Sequence, residues 1–295
     1  MRYLILGASG QLGTAFASLI DPTEGHFASR SDLDLAEHDR IEPFIREHRP
    51  DIVINCAAYT AVDRAEREPD LAAAINSDAV RHLAEAATLH SIRFVTFSTD
   101  YVFDGSLERP YVESDTPNPE SVYGRTKLAG EQYALAAQPS ALVIRTSWVI
   151  SATHPNFVTT MVGLAAADGA RVVDDQRGRP TIASDLAEAT LTAIDRGASG
   201  ILHLTNGGDT TWFDLARTAV RLAGLDPMKI QPCSTNEYPT PARRPRNSVL
   251  ESERFASLSI APLPDHRASL PGVVDGLGRR GFFRRLPAVD ETPSP

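Results

Sequence analysis

Met1-Arg-Tyr-Leu-Ile-Leu-Gly7-Ala-Ser-Gly10-Gln-Leu-Gly13 opens the chain, and its reading decides the fold. Tyr3 to Leu6 is a short apolar run of the kind that fills a buried parallel strand. Three glycines follow in G-x-x-G-x-x-G spacing, where they permit a tight turn, close approach of the backbone to a bound group and close packing of a helix on the strand. A helix N-terminus behind such a turn is a site for a diphosphate. The spacing alone is a weak signal, because a strand-to-helix turn without chemistry can carry the same glycines. Position gives it weight: the loop follows the first strand and opens the first helix.

Further along, Ile52–Asn55, Phe94–Ser98 and Leu142–Arg145 are apolar runs of strand length. Between them, Ile41–His48, Leu71–His90 and Thr126–Ala137 have helical spacing. This alternation predicts an α/β fold, a doubly wound, mostly parallel Rossmann sheet over residues 1–150 with a return around 180–204. Ligands of such sheets sit beyond the carboxyl ends of the strands, where Gly7, Asn55-Cys-Ala-Ala-Tyr-Thr60 and Ser98-Thr-Asp100 all fall. From about residue 151 proline-rich and arginine-rich loops appear, with helices expected over 157–168, 184–196 and 212–223. Residues 151–179 and 205–277 are expected to form a smaller α/β lobe that binds substrate. Residues 278–295 read as a basic aromatic extension and a disordered tail.

The 295 residues carry a formal charge of −9, which argues against a nucleic-acid partner, since phosphate backbones demand a broad basic face. Any anionic ligand must meet a local basic cluster. The two cysteines, Cys56 and Cys233, are far apart and lack metal-ligand spacing, as expected in a reducing compartment. No signal peptide precedes the first strand and no run of apolar residues is long enough to span a membrane, so the cytoplasm is expected.

Tyr123 and Lys127 form a Y-x-x-x-K pair. Four residues apart on a helix, they share one face and can act on one bound molecule. A tyrosine has an ordinary pKa near 10 and needs a nearby cation, here Lys127 and an oxidised nicotinamide, to shuttle a proton near neutrality. Together with the glycine loop the pair points to hydride transfer at a carbonyl, with Tyr123 protonating the oxygen, Lys127 also holding the nicotinamide ribose, and Thr99 fixing the same substrate oxygen. An isolated pair of this type is commonly a surface feature; Ser98-Thr-Asp100 at a strand end upstream strengthens the catalytic reading. Ser29-Arg30 occupies the zone at the end of the second strand that reads the adenosine ribose. A basic residue there favours the 2'-phosphate of NADPH, while Asp32 and Asp34 nearby keep NADH open.

The glycine loop, Asn55-Cys-Ala-Ala-Tyr-Thr60, Ser98-Thr-Asp-Tyr-Val-Phe-Asp-Gly105, Tyr123-Gly-Arg-Thr-Lys127-Leu-Ala-Gly-Glu131 and Arg145-Thr-Ser-Trp148-Val together resemble the extended short-chain dehydrogenase/reductases. Within that group Asp175-Gln-Arg-Gly-Arg-Pro-Thr181, Thr211-Trp-Phe and Ala242-Arg-Arg-Pro-Arg-Asn-Ser248 are similar to the dTDP-4-dehydrorhamnose reductase family, and the likeness covers roughly residues 1 to 275. The resemblance implies NAD(P)H-dependent reduction of the C4 ketone of dTDP-4-dehydro-6-deoxy-L-mannose to dTDP-L-rhamnose by a monomer or homodimer. It implies Tyr123 as proton donor with Lys127 as partner, sugar contacts at Thr99 and Asp100, and a substrate-side aromatic at Trp148. Cofactor contacts follow at Gly10, Gln11, Leu12, Asp34, Leu35, Ala58, Tyr59 and Thr60, beside Gly7, Gly13 and Arg30. The substrate's own diphosphate would be met by Arg243 and Arg244, with Arg246 beside them, a reading preferred to a flexible, solvated arginine loop. Some relatives bind Mg2+ through an acidic residue soon after the glycine loop; Thr14-Ala15-Phe16 lacks it, so Mg2+ stays uncertain and no metal ligand is assigned. Two rivals stay open: a 4-ketoreductase for another dTDP-deoxyhexose, and a non-catalytic regulatory subunit of the same fold.

Overall fold

The computed structural model describes residues 1–283. The expected disordered tail lies beyond them. The chain runs β1 (Tyr3–Leu6), α1 (Gln11–Ala17), β2 (Gly25–Ala28), α2 (Ile41–His48), β3 (Ile52–Asn55), α3 (Val62–Ala65), α4 (Pro69–Ala73), α5 (Ala79–Leu89), β4 (Arg93–Thr99), α6 (Val122–Ala137) and β5 (Leu142–Thr146). It continues with β6 (Val149–Ile150), α7 (Phe157–Ala166), β7 (Ala170–Val173), β8 (Arg177–Gly178), β9 (Thr181–Ile182), α8 (Ala183–Asp195), β10 (Gly200–His203), β11 (Thr210–Thr211), α9 (Trp212–Leu222), β12 (Ile230–Cys233), α10 (Phe255–Leu258) and α11 (His266–Arg279).

Six strands form one sheet in the order β10-β5-β4-β3-β1-β2, every pair parallel. Alternate residues of each strand supply opposite faces. Leu4, Leu6, Val53, Phe94 and Val143 meet α2 and α5 through Ile45, Leu83 and Ala87. Ile5, Ile54, Val95, Leu142 and Ile144 meet α1 and α8 through Phe16, Leu186 and Ile194. Covered on both sides, β3 and β5 are buried at every residue, which is why they read as continuous apolar runs. Each such Leu or Ile stabilises the fold by about 1.5–3 kcal/mol, so a single charge placed at Leu142 or Ile54 would break the sheet's packing.

The helix expected over 71–90 is α4 and α5 joined by a π turn at Ala74–Asp78. Asn76 in that turn is buried; its amide donates to Tyr59 O at 3.1 Å and Thr126 Oγ1 at 3.2 Å, while its carbonyl oxygen accepts from Tyr59 N at 2.9 Å. The wide turn thereby ties the loop after β3 to α6.

A third cluster, with Ile150, Val162, Phe213, Val220, Leu270 and Val274, packs α7, α9 and α11 together. Three two-stranded pairings, β11 with β8, β12 with β7 and β6 with β9, border it. The sequence gives no helical expectation for 266–279, because Pro271 and glycines at 272, 276 and 278 weigh against one. Leu270, Val273, Val274 and Leu277 override that propensity by packing inward, and Phe283 also packs on this cluster.

Candidate active site

Strand order reverses between β1 and β3, opening a crevice at the carboxyl ends of the strands. A cleft of about 680 Å3 lies there. Gly7, Gly10, Gln11 and Leu12 line it from the glycine loop, Arg30, Asp34 and Leu35 from the segment after β2, and Ala58 and Thr60 from the segment after β3. Tyr123 and Lys127 reach it from α6. Gly7 has φ +72°, and a Cβ there would come within 2.7 Å of Ala57 N. Gly13 stands behind the cleft wall, where a Cβ would lie 2.4 Å from Gly7 O, so both positions exclude a side chain. Tyr59 does not line the cleft: its hydroxyl donates to Glu68 Oε2 at 2.7 Å, while its backbone is held by Asn76.

Sequence reasoning missed one wall. His154 and Pro155 also line the cleft, with His154 Nε2 3.0 Å from Ser9 O and Asn156 Nδ2 3.3 Å from Gln11 Oε1. Gln11 in turn donates to Val149 O at 3.3 Å. The segment crosses from the far half of the chain, and nothing local in Ser151-Ala-Thr-His-Pro-Asn156 signals that reach.

The reacting corner is built by β4 and α6. Ser121 caps α6, accepting from Gly124 N at 3.1 Å, and a Cβ on Gly124 would lie 2.2 Å from Tyr101 O, so the helix start sits hard against the residues that follow Thr99. The Tyr101 and Tyr123 rings meet edge to face at 5.6 Å. Lys127 is buried and donates from Nζ to Phe97 O at 2.6 Å. Burial pulls its ammonium down to about 8, against the charge of Glu131, which holds it up. Burial pushes the Tyr123 phenol up to about 12, a hydrogen bond with Thr99 opposing and the Asp100 charge adding to the rise. Thr99 Oγ1 donates to Asp100 Oδ1 at 2.9 Å and accepts from Tyr101 N at 3.2 Å. Asp100 is 2% exposed; burial pushes it up to about 6 against hydrogen bonding from Ser248 and Thr99, and its Oδ2 makes no hydrogen bond of ordinary geometry among the described residues. An unpaired buried acceptor is rare in folded proteins, and ligand-facing groups are a common reason for one.

The outlying expected residues are held differently. Trp148 has φ +47° and stacks on Trp212 with centroids 3.6 Å apart and planes at 12°. Arg244 pairs with Asp63 at 2.8 Å and lies over the Tyr101 ring, its guanidinium carbon 5.9 Å from the centroid. Arg243 pairs with Glu120 at 2.8 Å, and Arg30 with Asp34 at 2.9 Å. Arg246, in the same loop, has its backbone N 2.7 Å from where a Cβ on Gly105 would sit. Among the described residues no group of three or more His, Cys, Asp or Glu is arranged to hold a metal, and no helix is long and apolar enough to cross a membrane.

A glycine-floored crevice at the strand reversal, next to a tyrosine and a buried lysine on one helix, defines an extended short-chain dehydrogenase/reductase. The chain belongs to the family described as RmlD substrate binding domain, whose model matches residues 1–278. A probable dTDP-4,6-dihydroxy-2-methyloxan-3-one 4-ketoreductase of Streptomyces antibioticus is 44% identical over 92% of this chain and 93% of its own. A dTDP-4-dehydrorhamnose reductase of Streptomyces griseus is 42% identical, with 95% of each chain covered. The crystal structure of dTDP-4-dehydrorhamnose reductase from Bacillus anthracis in complex with NADP has a TM-score of 0.86 at 34% identity, covering 94% of this chain and 97% of that one.

Proposed function

We propose that this chain is an NADP-dependent oxidoreductase that reduces the C4 ketone of dTDP-4-dehydro-6-deoxy-L-mannose to dTDP-L-rhamnose, in the cytoplasm, as a monomer or homodimer. The observation that carries this reading is the corner where Tyr123 and Lys127 line the glycine-floored cleft with Thr99 against Tyr123, in a chain whose relatives are named for reducing dTDP-4-keto sugars.

The cleft fits a dinucleotide, since Gly7 and Gly13 leave no room for side chains where a diphosphate would approach the backbone. Gly10, Gln11 and Leu12 would hold that diphosphate, Arg30, Asp34 and Leu35 the adenosine ribose, and Ala58 and Thr60 the flank after β3, with Tyr59 set behind that flank. Bound there, a reduced nicotinamide would supply the hydride for the ketone carbon. Tyr123, buried enough to keep its proton well above neutrality, donates that proton to the ketone oxygen as alkoxide character develops. Lys127 stabilises the phenolate that remains and bonds the ribose hydroxyls. Thr99 orients the oxygen, and the unpaired Asp100 oxygen accepts a sugar hydroxyl. The stacked Trp148 borders the sugar, and Arg243 and Arg244 receive the nucleotide diphosphate within a lobe made of residues 151–179 and 205–277.

NADPH rather than NADH is the preferred cofactor, on the strength of Arg30 at the cleft edge. A panel of dTDP-4-keto sugars, each run with NADPH and with NADH and with product identification, tests it: dTDP-L-rhamnose as the best product supports it, and absence of turnover with every sugar would return the chain to a non-catalytic role. A second reading has its own support, because the Streptomyces antibioticus relative is named for a different dTDP-ketosugar. On that reading the chemistry is unchanged and the panel's preferred sugar differs.

A further inference from the structure

Behind the reacting corner lies a buried run of charge that the proton transfer described above does not use. Glu131 follows Lys127 by one turn on the same face of α6, and its side chain is 3% exposed. Arg145, on β5, grips it as a fork, Nε to Oε1 at 2.9 Å and Nη2 to Oε2 at 2.7 Å. Ser98 donates its hydroxyl to Oε1, and Ser98 sits between Phe97, whose carbonyl holds Lys127, and Thr99. Beyond Arg145, His203 on β10 has Nε2 3.5 Å from Arg145 Nη1, Nδ1 2.9 Å from Glu251 O, and a backbone N that donates to Glu113 at 2.9 Å. Burial pulls His203 down to about 4, so it meets Arg145 as a neutral ring.

Apolar residues of the same volume would hold α6 on the sheet as well as this ion pair does, or better. The charge itself therefore needs a reason, and the reason adjoins it. Lys127 is a cation taken out of water, and Glu131 is the group whose charge opposes that burial. Among the described residues, the charged or titratable groups around the pair are Arg145 on β5, bonded to Glu131, His203 on β10, next to Arg145, and, one turn before Lys127 on α6, Tyr123, which Asp100 after β4 influences. The π turn and β4 contribute Asn76, Thr96 and Ser98, which are uncharged.

We propose that Glu131 is a positioning residue of the reaction: its carboxylate, gripped by Arg145 and Ser98 one helical turn from Lys127, sets the charge behind the Lys127 ammonium on the face of α6 that carries Tyr123. The inference rests on the reading of Tyr123 and Lys127 as the proton-transfer pair. Arg145 then acts as a counterweight, a second cation bonded to the same carboxylate. Ser98 fixes the rotamer.

Opposite responses of the two partners test this. In NADPH-dependent reduction of dTDP-4-dehydro-6-deoxy-L-mannose, Glu131→Gln moves the alkaline limb of kcat down by about 1 pH unit, because Lys127 loses its proton earlier. Arg145→Gln moves the same limb up, and Glu131→Asp, which keeps the charge, leaves it near the parent's. Where a lone variant fails to fold, the double variant Glu131→Gln/Arg145→Gln leaves neither charge unpaired and still lowers the limb. A merely structural network would instead lower melting temperature and kcat at every pH with the limb unmoved in all folded variants; that result, or shifts of the same sign for Glu131→Gln and Arg145→Gln, overturns the proposal. Tyr123→Phe run alongside separates the failures. Near-parental turnover there removes the proton-transfer reading itself, whereas an inactive Tyr123→Phe with unmoved limbs removes only the role of Glu131.

Discussion

Cations at the two ends of the proposed site are held in opposite ways. Lys127 is 4% exposed, bonded to a backbone carbonyl and backed by a carboxylate that β5 grips from the other side. Arg30 and Arg243 have side chains 74% exposed, each paired with one surface carboxylate. An exposed pair of this kind is screened by water and salt and contributes little. Such an arginine is therefore ready to leave its partner for an incoming phosphate, which offers a stronger bidentate contact. The interior cation has no such freedom. Chemistry that depends on a proton's affinity belongs at the dry end, and capture of charged ligands belongs at the wet one.

The sharpest way to break this contrast is at the phenol. Tyr123→Phe lowers kcat by about 10²- to 10⁴-fold while leaving NADPH affinity by fluorescence titration unchanged; near-normal turnover would mean that the dry end does no chemistry. Acid probes the same interior without a substrate. His203 is held near 4 against an ordinary 6.5, so the unfolded chain takes up a proton that the fold refuses. Its stabilising effect is complete above about pH 6.5 and is lost as pH falls from there through about 4. Melting temperatures across that window should decline in the parent and decline less steeply in His203→Gln.

At the wet end the effects shrink with exposure. Arg244, with a side chain 18% exposed, is the intermediate case. Arg244→Ala raises the KM for the sugar nucleotide about tenfold, the size of one charge-assisted contact, and leaves the KM for NADPH alone. Arg30→Glu raises the KM for NADPH several-fold and spares NADH; equal effects on both would separate Arg30 from the 2'-phosphate. Arg243→Ala changes the sugar-nucleotide KM least, about twofold or less. Equal losses at Arg243 and Arg244 would sharpen the comparison differently, by showing that burial in the free chain does not rank ligand contacts.

What the sequence made legible was local. The opening strand, the glycine loop and the helix behind it are specified within thirteen residues, and the period-two packing of β1, β3, β4 and β5 follows from short apolar runs. Tyr123 and Lys127 share a helix, so their spacing alone put them on one face. What stayed hidden depends on partners distant in sequence. Trp148 carries a positive φ and stacks on Trp212, a contact across sixty-four positions that no spacing encodes. The ion pairs that hold Arg243 and Arg244 in the free chain, with Glu120 before α6 and Asp63 on α3, also link distant stretches of sequence. α11 contradicts its own propensity, and the π turn shows only as an uninterrupted helical pattern. Glu131 stood in the quoted Tyr123–Glu131 string without a role, because its meaning comes from Arg145 on the neighbouring strand.

Gly276, deep in α11, lies where a Cβ would come within 2.6 Å of the Ala152 Cβ, and Ala152 belongs to the stretch that sends His154 to Ser9. One short loop is thus a buttress between α11 and the opening turn of the polypeptide. Injury near the carboxyl end would be felt first as a slackened grip at the amino end, with the interior ion pair of α6 and β5 the last thing to notice.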